Sequence, residues 1–151
     1  MIKYVKGNLL DAFDNGDVKI IAHGCNCVGG FGSGIAGQIA ERYPLVKVRY
    51  KELYGTGEAK LGFFQTNHIE GKGWVINCGT QREDSPIGQK HADYDSIRKV
   101  MHLLLSFSKN FGSVPAIPKI GCGLAGGDWP TVEKIINSIF TDSEILVYVL
   151  E

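Results

Sequence analysis

Three polar residues stand beside two glycine-rich stretches in this chain, and their types suit proton transfer next to a bound anion. His23 closes the apolar run VKIIAHG at 18–24, and Asn26 follows it. A histidine titrates near pH 6.5, about where general acid–base work is done, but it can equally orient a loop without reacting. Asp128 follows the second glycine stretch. It can position a water or His23, or it can cap the helix that comes next, since aspartate is a favoured N-cap.

The glycines point to the anion. There are twenty in 151 residues, nearly twice the usual share of about 7%. The first stretch is Gly29-Gly30-Phe31-Gly32-Ser33-Gly34, running into a helix at about Ile35. The second is Gly121-Cys122-Gly123-Leu124-Ala125-Gly126-Gly127, also ahead of a helix. Bare amides at a helix N-terminus attract anions, and missing Cβ atoms allow close approach. Neither stretch is a dinucleotide fingerprint or a P-loop. Two such loops suggest two phosphates or one diphosphate. Glycines that only make turns are the alternative.

The four cysteines, Cys25, Cys27, Cys78 and Cys122, fit no common zinc spacing. No CxxxxxR pattern supports a cysteinyl-phosphate route, so packing is the expected role of these thiols. No metal site and no cofactor are expected. Reduced thiols suggest a cytoplasmic protein. No stretch approaches the ~20 apolar residues of a membrane span, and the N-terminus MIKYVKGNLL has no signal-peptide core. Sixteen basic and sixteen acidic residues cancel, which gives no electrostatic argument for nucleic acid. No partner beyond a small molecule is required, and a monomer is expected.

The elements that must carry these residues alternate. Strands are expected at 2–5, 18–24, 61–67, 73–79, 114–121 and 144–150. Helices are expected from 33 to about 43, from Pro44 to about Gly55, over 94–108 and over 130–140. GNLLDAFDNGD after the first strand reads as a loop, and so does 80–93, which holds His91 and Asp93. With no repeat and no linker, residues 1–151 read as one α/β domain with helices on both faces of a mostly parallel or mixed sheet. Ligands in such folds bind beyond the carboxyl ends of the strands, where both glycine loops would lie.

The run HGCNC (23–27) followed by GGFGSGIAGQIAERYP (29–44) resembles the first signature of macro domains, and is most similar to their ADP-ribose 1″-phosphate phosphatase branch. YVKGNLL (4–10), PKIGCGLAGGDW (118–129) and the closing VYVL are similar in order and spacing. The resemblance covers almost the whole chain. It implies a three-layer α/β/α fold with a mixed central sheet, and an ADP-ribose derivative as ligand. It implies that Asn8 and Leu9 lie near the adenine, and many macro domains carry aspartate where Asn8 stands. An amide offers the adenine edge both a donor and an acceptor. Gly24, Gly32, Ser33, Gly34 and Ile35 would serve the diphosphate or distal ribose. Gly121, Cys122, Gly123, Leu124, Ala125 and Gly126 would close the other side. Asn26 would contact the distal ribose, and Thr80 and Gln81 would line the same cleft.

The expected activity is hydrolysis of ADP-ribose 1″-phosphate to ADP-ribose and phosphate by metal-independent attack of water, with His23, Asn26 and Asp128 as catalytic candidates. One alternative is an ADP-ribosyl glycohydrolase acting on protein or nucleic acid. The glycohydrolase branch that this chain resembles through IGCGL uses a lysine and an aspartate where Thr80-Gln81 and Ala125 stand here. The other alternative is a non-catalytic ADP-ribose reader, which needs only the loops.

Overall fold

The central strands are buried on both faces, and the alternation of their side chains sorts the helices into two layers. A computed structural model describes residues 1–32, 34–82, 92–122 and 126–150. Strand β1 (Ile2–Lys6) is followed by α1 (Leu9–Asn15), β2 (Ile20–Asn26), α2 (Gly34–Arg42) and α3 (Pro44–Gly55). Then come β3 (Phe64–Ile69), β4 (Gly73–Gln81), α4 (Tyr94–Phe111), β5 (Pro115–Ile117), α5 (Trp129–Ile139) and β6 (Ile145–Val149). The sheet order is β1-β6-β5-β2-β4-β3. Only β3 runs antiparallel, paired with β4. The expected α/β/α arrangement with a mixed sheet is what the structure shows.

Successive side chains of a strand point to opposite faces. On one face Ile20 and Ala22 of β2, Ile76 and Cys78 of β4, and Val147 of β6 pack against α4 and α5. On the other, Ile21 and Cys25 of β2 and Val75 of β4 pack against α1, α2 and α3. Because β1, β2, β4, β5 and β6 are mutually parallel, their carboxyl ends share one edge. Gly7, the first glycine loop, Arg82, Pro118 and Leu150 follow those ends.

Two expectations are corrected. The stretch after β1 is a helix, not a loop. Asn8 caps α1 by accepting from the Asp11 N–H at 2.9 Å, and Gly16 ends it at φ +89°. Leu9, Leu10, Ala12 and Phe13 form its buried face, and burying that face outweighs the poor intrinsic stability of so short a helix. The strand expected over 114–121 is only Pro115–Ile117. Pro118 has no N–H to give the ladder, and the backbone turns as Ile120 N–H bonds the Pro118 carbonyl. Elsewhere the differences are confined to element ends: β3 begins three residues later than expected, and α4 continues to Phe111.

The two helices beside the sheet's carboxyl edge are tied together. Arg42 at the end of α2 bonds Asp11 at 2.9 Å and Asp14 at 2.6 Å on α1. The Tyr43 hydroxyl also donates to Asp14, and its ring meets Phe13 edge-on.

Candidate functional site

Loop one owes its shape to Asn26 and Tyr50. The Asn26 Oδ1 accepts the N–H groups of Val28 and Gly30, each at 3.1 Å, and its Nδ2 donates to the Gly30 carbonyl at 3.0 Å. The Tyr50 hydroxyl, from the fully buried face of α3, accepts the Gly29 N–H at 3.1 Å. It donates to Asn26, whose Oδ1 lies at 2.8 Å and carbonyl at 2.9 Å. Phe31 tucks under the loop between the rings of Tyr50 and His23. Tyr50 is the residue shaping loop one that sequence reasoning missed. It reads as one apolar position of a helix, and nothing in the spacing shows that its hydroxyl reaches a loop 21 residues away. Asn26 is left with one N–H of its amide, which can donate to a ligand but cannot transfer a proton.

Glycine at three positions, two in these loops and one in the first turn of α2, is a steric requirement. A Cβ on Gly30 would sit 2.7 Å from the Asn26 Nδ2, and one on Gly37 would sit 2.9 Å from the Gly32 carbonyl oxygen. In loop two, the Gly127 N–H bonds the Gly121 carbonyl at 2.8 Å, so closely that a Cβ on Gly127 would overlap that oxygen. Gly32 and Gly34 have nothing within 4 Å of a would-be Cβ. Their surroundings are open, which is what a ligand-facing position requires.

His23 does not lie where the sequence suggested. Strand β2 continues to Asn26, so His23 is inside it and turned toward α1–α3. It is 1% exposed, and burial lowers its pKa to about 4 despite the bond to Asn77, so the ring is neutral at pH 7. A chain of bonds fixes its tautomer. The Arg49 carbonyl can only accept, so Gln65 offers it Nε2 at 3.0 Å. The Gln65 Oε1 then accepts from the Asn77 Nδ2 at 2.9 Å, which turns the Asn77 Oδ1 to His23 at 2.6 Å. The proton therefore sits on the His23 Nε2. Its Nδ1 meets only the Cys25 thiol, 3.9 Å away. A ring buried in this way packs against Phe31 and, among the described residues, bonds no group of the cleft.

Asp128 caps α5, accepting from the Thr131 N–H at 3.1 Å and hydroxyl at 2.7 Å through one oxygen. It is exposed, and its N–H bonds the Tyr94 hydroxyl at 3.0 Å. It belongs to the α4–α5 layer and His23 to the other, so the two do not form a pair. Asp93 likewise caps α4. The thiols of Cys25 and Cys78 are buried and pushed well up by burial, and Cys122 is raised by burial and by Asp128, so none is a poised thiolate. Among the described residues no group of His, Cys, Asp or Glu is placed to hold a metal ion, and no helix is long and apolar enough to cross a membrane.

Thr80 and Gln81 end β4 beside Gly24 and Asn26. Thr80 is fully buried and its hydroxyl has no hydrogen-bond partner among the described residues. It lies against Gly24, where any Cβ would overlap it. Ser33, Gly123, Leu124, Ala125 and His91 lie outside the described residues.

A cavity of ≈ 370 Å³ opens at the same edge, between α1, α2 and the ends of β5 and β6. Asn8, Leu9, Gly34, Ile35, Lys119 and Tyr148 are among the residues that line it. Its size is that of a small-molecule site. The cavity and both glycine loops therefore border one edge of one sheet.

The sequence profile of the family described as Macro domain matches residues 22–136. The chain belongs to the macro domain family. It is 32% identical to a DNA ADP-ribosyl glycohydrolase of Mycobacterium tuberculosis, over 98% of this chain but only 42% of that protein. It is 27% identical to an ADP-ribose 1″-phosphate phosphatase of Saccharomyces cerevisiae, over 99% of this chain and 98% of that protein. The structure of the macrodomain of M. tuberculosis DarG superposes with a TM-score of 0.82 at 28% identity, over 98% of this chain and 97% of that one. The resemblance read from the glycine loops is thus shown at the level of family and fold. The macro domains matched here by name carry two different hydrolytic activities.

Proposed function

We propose that this macro domain binds the ADP-ribose group and hydrolyses ADP-ribose 1″-phosphate to ADP-ribose and phosphate. The observation that carries the reading is the ≈ 370 Å³ cavity that reaches the end of loop one, at Gly34, and the end of β5 from which loop two departs, at Pro118 and Lys119. The nucleoside would occupy the cavity against Leu9, Ile35 and Tyr148. The diphosphate would lie between loop one, at the N-terminus of α2, and loop two, where backbone amides neutralise charge. Loop amides directed at the phosphoryl oxygens would stabilise charge in the transition state without reorganising. The enclosed, neutral His23 takes no part as acid or base in this scheme. Asp128 keeps one carboxylate oxygen outside its cap and would hold the attacking water. Asn26 would offer its remaining N–H to the distal ribose.

The test is phosphate release from ADP-ribose 1″-phosphate, with ADP-ribose binding measured by calorimetry. Asp128→Asn keeps the cap, since asparagine caps as well as aspartate. It should lower kcat by about 100-fold with KM within a few fold. Turnover unchanged by this substitution would remove Asp128 from the chemistry.

A second reading, removal of ADP-ribose from DNA, is favoured by the 32% identity to a protein named for that activity. Thr80-Gln81 stands where the related branch has lysine, so any such activity here would need a base other than lysine at that place. Binding of ADP-ribose without phosphate release, together with cleavage of ADP-ribosylated DNA, would select this reading. Binding with neither activity would leave a reader.

A further inference from the structure

We propose that two copies of this chain, in place of the monomer expected from its sequence, pair through β3 and continue the sheet across a two-fold axis. The edges of the sheet are β1 and β3. A free edge offers unpaired backbone groups, and soluble proteins protect it with lysine, proline or a bulge. β1, IKYVK, carries Lys3 and Lys6. β3, FQTNHI, has no lysine, no proline and no acid, and it pairs with β4 without a bulge. One edge is therefore guarded and the other is not.

The ladder identifies the outward groups of β3. The Gly79 N–H bonds the Phe63 carbonyl at 2.9 Å, and bonded and non-bonded pairs alternate along antiparallel strands. Gln65 and Asn67 thus turn their backbone groups to β4, while Phe64, Thr66 and His68 turn theirs outward. In agreement, the Thr66 carbonyl accepts from Arg49 at 2.8 Å, and it keeps a second lone pair. One antiparallel register pairs all three outward residues with a second copy. It sets Thr66 against the partner's Thr66 at the axis and Phe64 against the partner's His68 on either side.

The charges choose the same register. One step further along the same face, it sets Gly62 against the partner's Glu70. Lys99 of α4 lies over Gly62, with its Nζ 3.3 Å from where a Cβ would stand. Glu70 and Lys99 are exposed, and neither has an ion-pair partner among the described residues. The two-fold brings each Lys99 to the partner's Glu70, so charges unmatched within one copy match between two. The face also carries a run of rings beside the edge. His68 lies 4.8 Å from Trp74, Trp74 5.3 Å from Phe107, and Phe107 4.7 Å from Phe111, and the two end rings are exposed. Cross-strand contact with the partner's Phe64 lengthens this run and covers His68. The cavity lies at the ends of β5 and β6, away from β3, and stays open.

The test is sedimentation equilibrium of the whole chain from about 1 to 500 μM. The weight-average mass should rise toward that of a dimer. Thr66→Pro removes an N–H that β4 does not use and should abolish the rise. Should that variant not fold, charge reversal decides. Glu70→Lys and Lys99→Glu should each weaken the dimer about tenfold, and the double variant should restore it to within a few fold. A chain that stays monomeric throughout overturns the proposal. So does a dimer that the single reversals leave intact or that the double reversal does not restore.

Discussion

His23 shows how far a neighbouring residue's bonds can decide what a titratable group does. Its neutral state rests on burial, and its tautomer on a row of amides that ends at a backbone carbonyl in α3. The consequence is a pH dependence of stability rather than of catalysis. The folded ring titrates at about 4 and the unfolded one at 6.5. Between those values the unfolded chain takes up a proton that the native chain refuses. Stability is therefore fully retained above pH 6.5 and lost as pH falls toward 4, by on the order of 3 kcal/mol from this residue. His23→Gln keeps a donor facing Asn77 without titrating. Thermal melts of the two proteins should converge, or cross in favour of the variant, as pH drops from 7 to 4.5; melting curves that fall in parallel would show that the ring is not the proton acceptor. The type and place of this histidine invited a catalytic reading, because the strand was expected to end near it. Three more strand residues turn it inward.

At the scale of elements, loop one is held from behind by α3, and Tyr50 is the point of attachment. Tyr50→Phe removes the hydroxyl that serves both Gly29 and Asn26 while leaving the ring stacked between Phe31 and Phe63. The fold should survive at a cost of about 1–2 kcal/mol. Affinity for ADP-ribose should fall about tenfold, because the loop amides lose their alignment. Affinity for adenosine, which would reach only the cavity, should hold. Equal losses for both ligands would mean that Tyr50 supports the whole cleft rather than the loop. The helix α1 carries a related lesson. Its N-cap Asn8, its apolar positions and Gly16 were all legible, but seven residues are too few to announce a helix until the hydrophobic layer beneath them is known. That missed helix mattered, since its cap, Asn8, lines the cavity.

At the scale of the molecule, the sheet order brings five parallel carboxyl ends to one edge and leaves β3 antiparallel at the side. The cleft is built by that order, so ligand binding is coupled to the folding of the whole sheet. ADP-ribose at 100 times its Kd should add about 2.7 kcal/mol to stability, raising Tm by roughly 5–10 °C. A melt unmoved at that excess would contradict binding to the native state. Local chemistry made much of this legible. Glycine clusters marked the loops, apolar runs and period-3.6 apolar patterns marked most strands and helices, and the motif order gave the family. These signals are read within a few residues of one another, so sequence alone carries them. What the tertiary structure alone decided are relations between distant residues: that Tyr50 builds loop one, that His23 is shut inside, that His23 and Asp128 stand in different layers, and that Asn8 lines the cavity. Each depends on which surfaces the sheet order stacks together, and a single chain's local pattern does not encode that stacking.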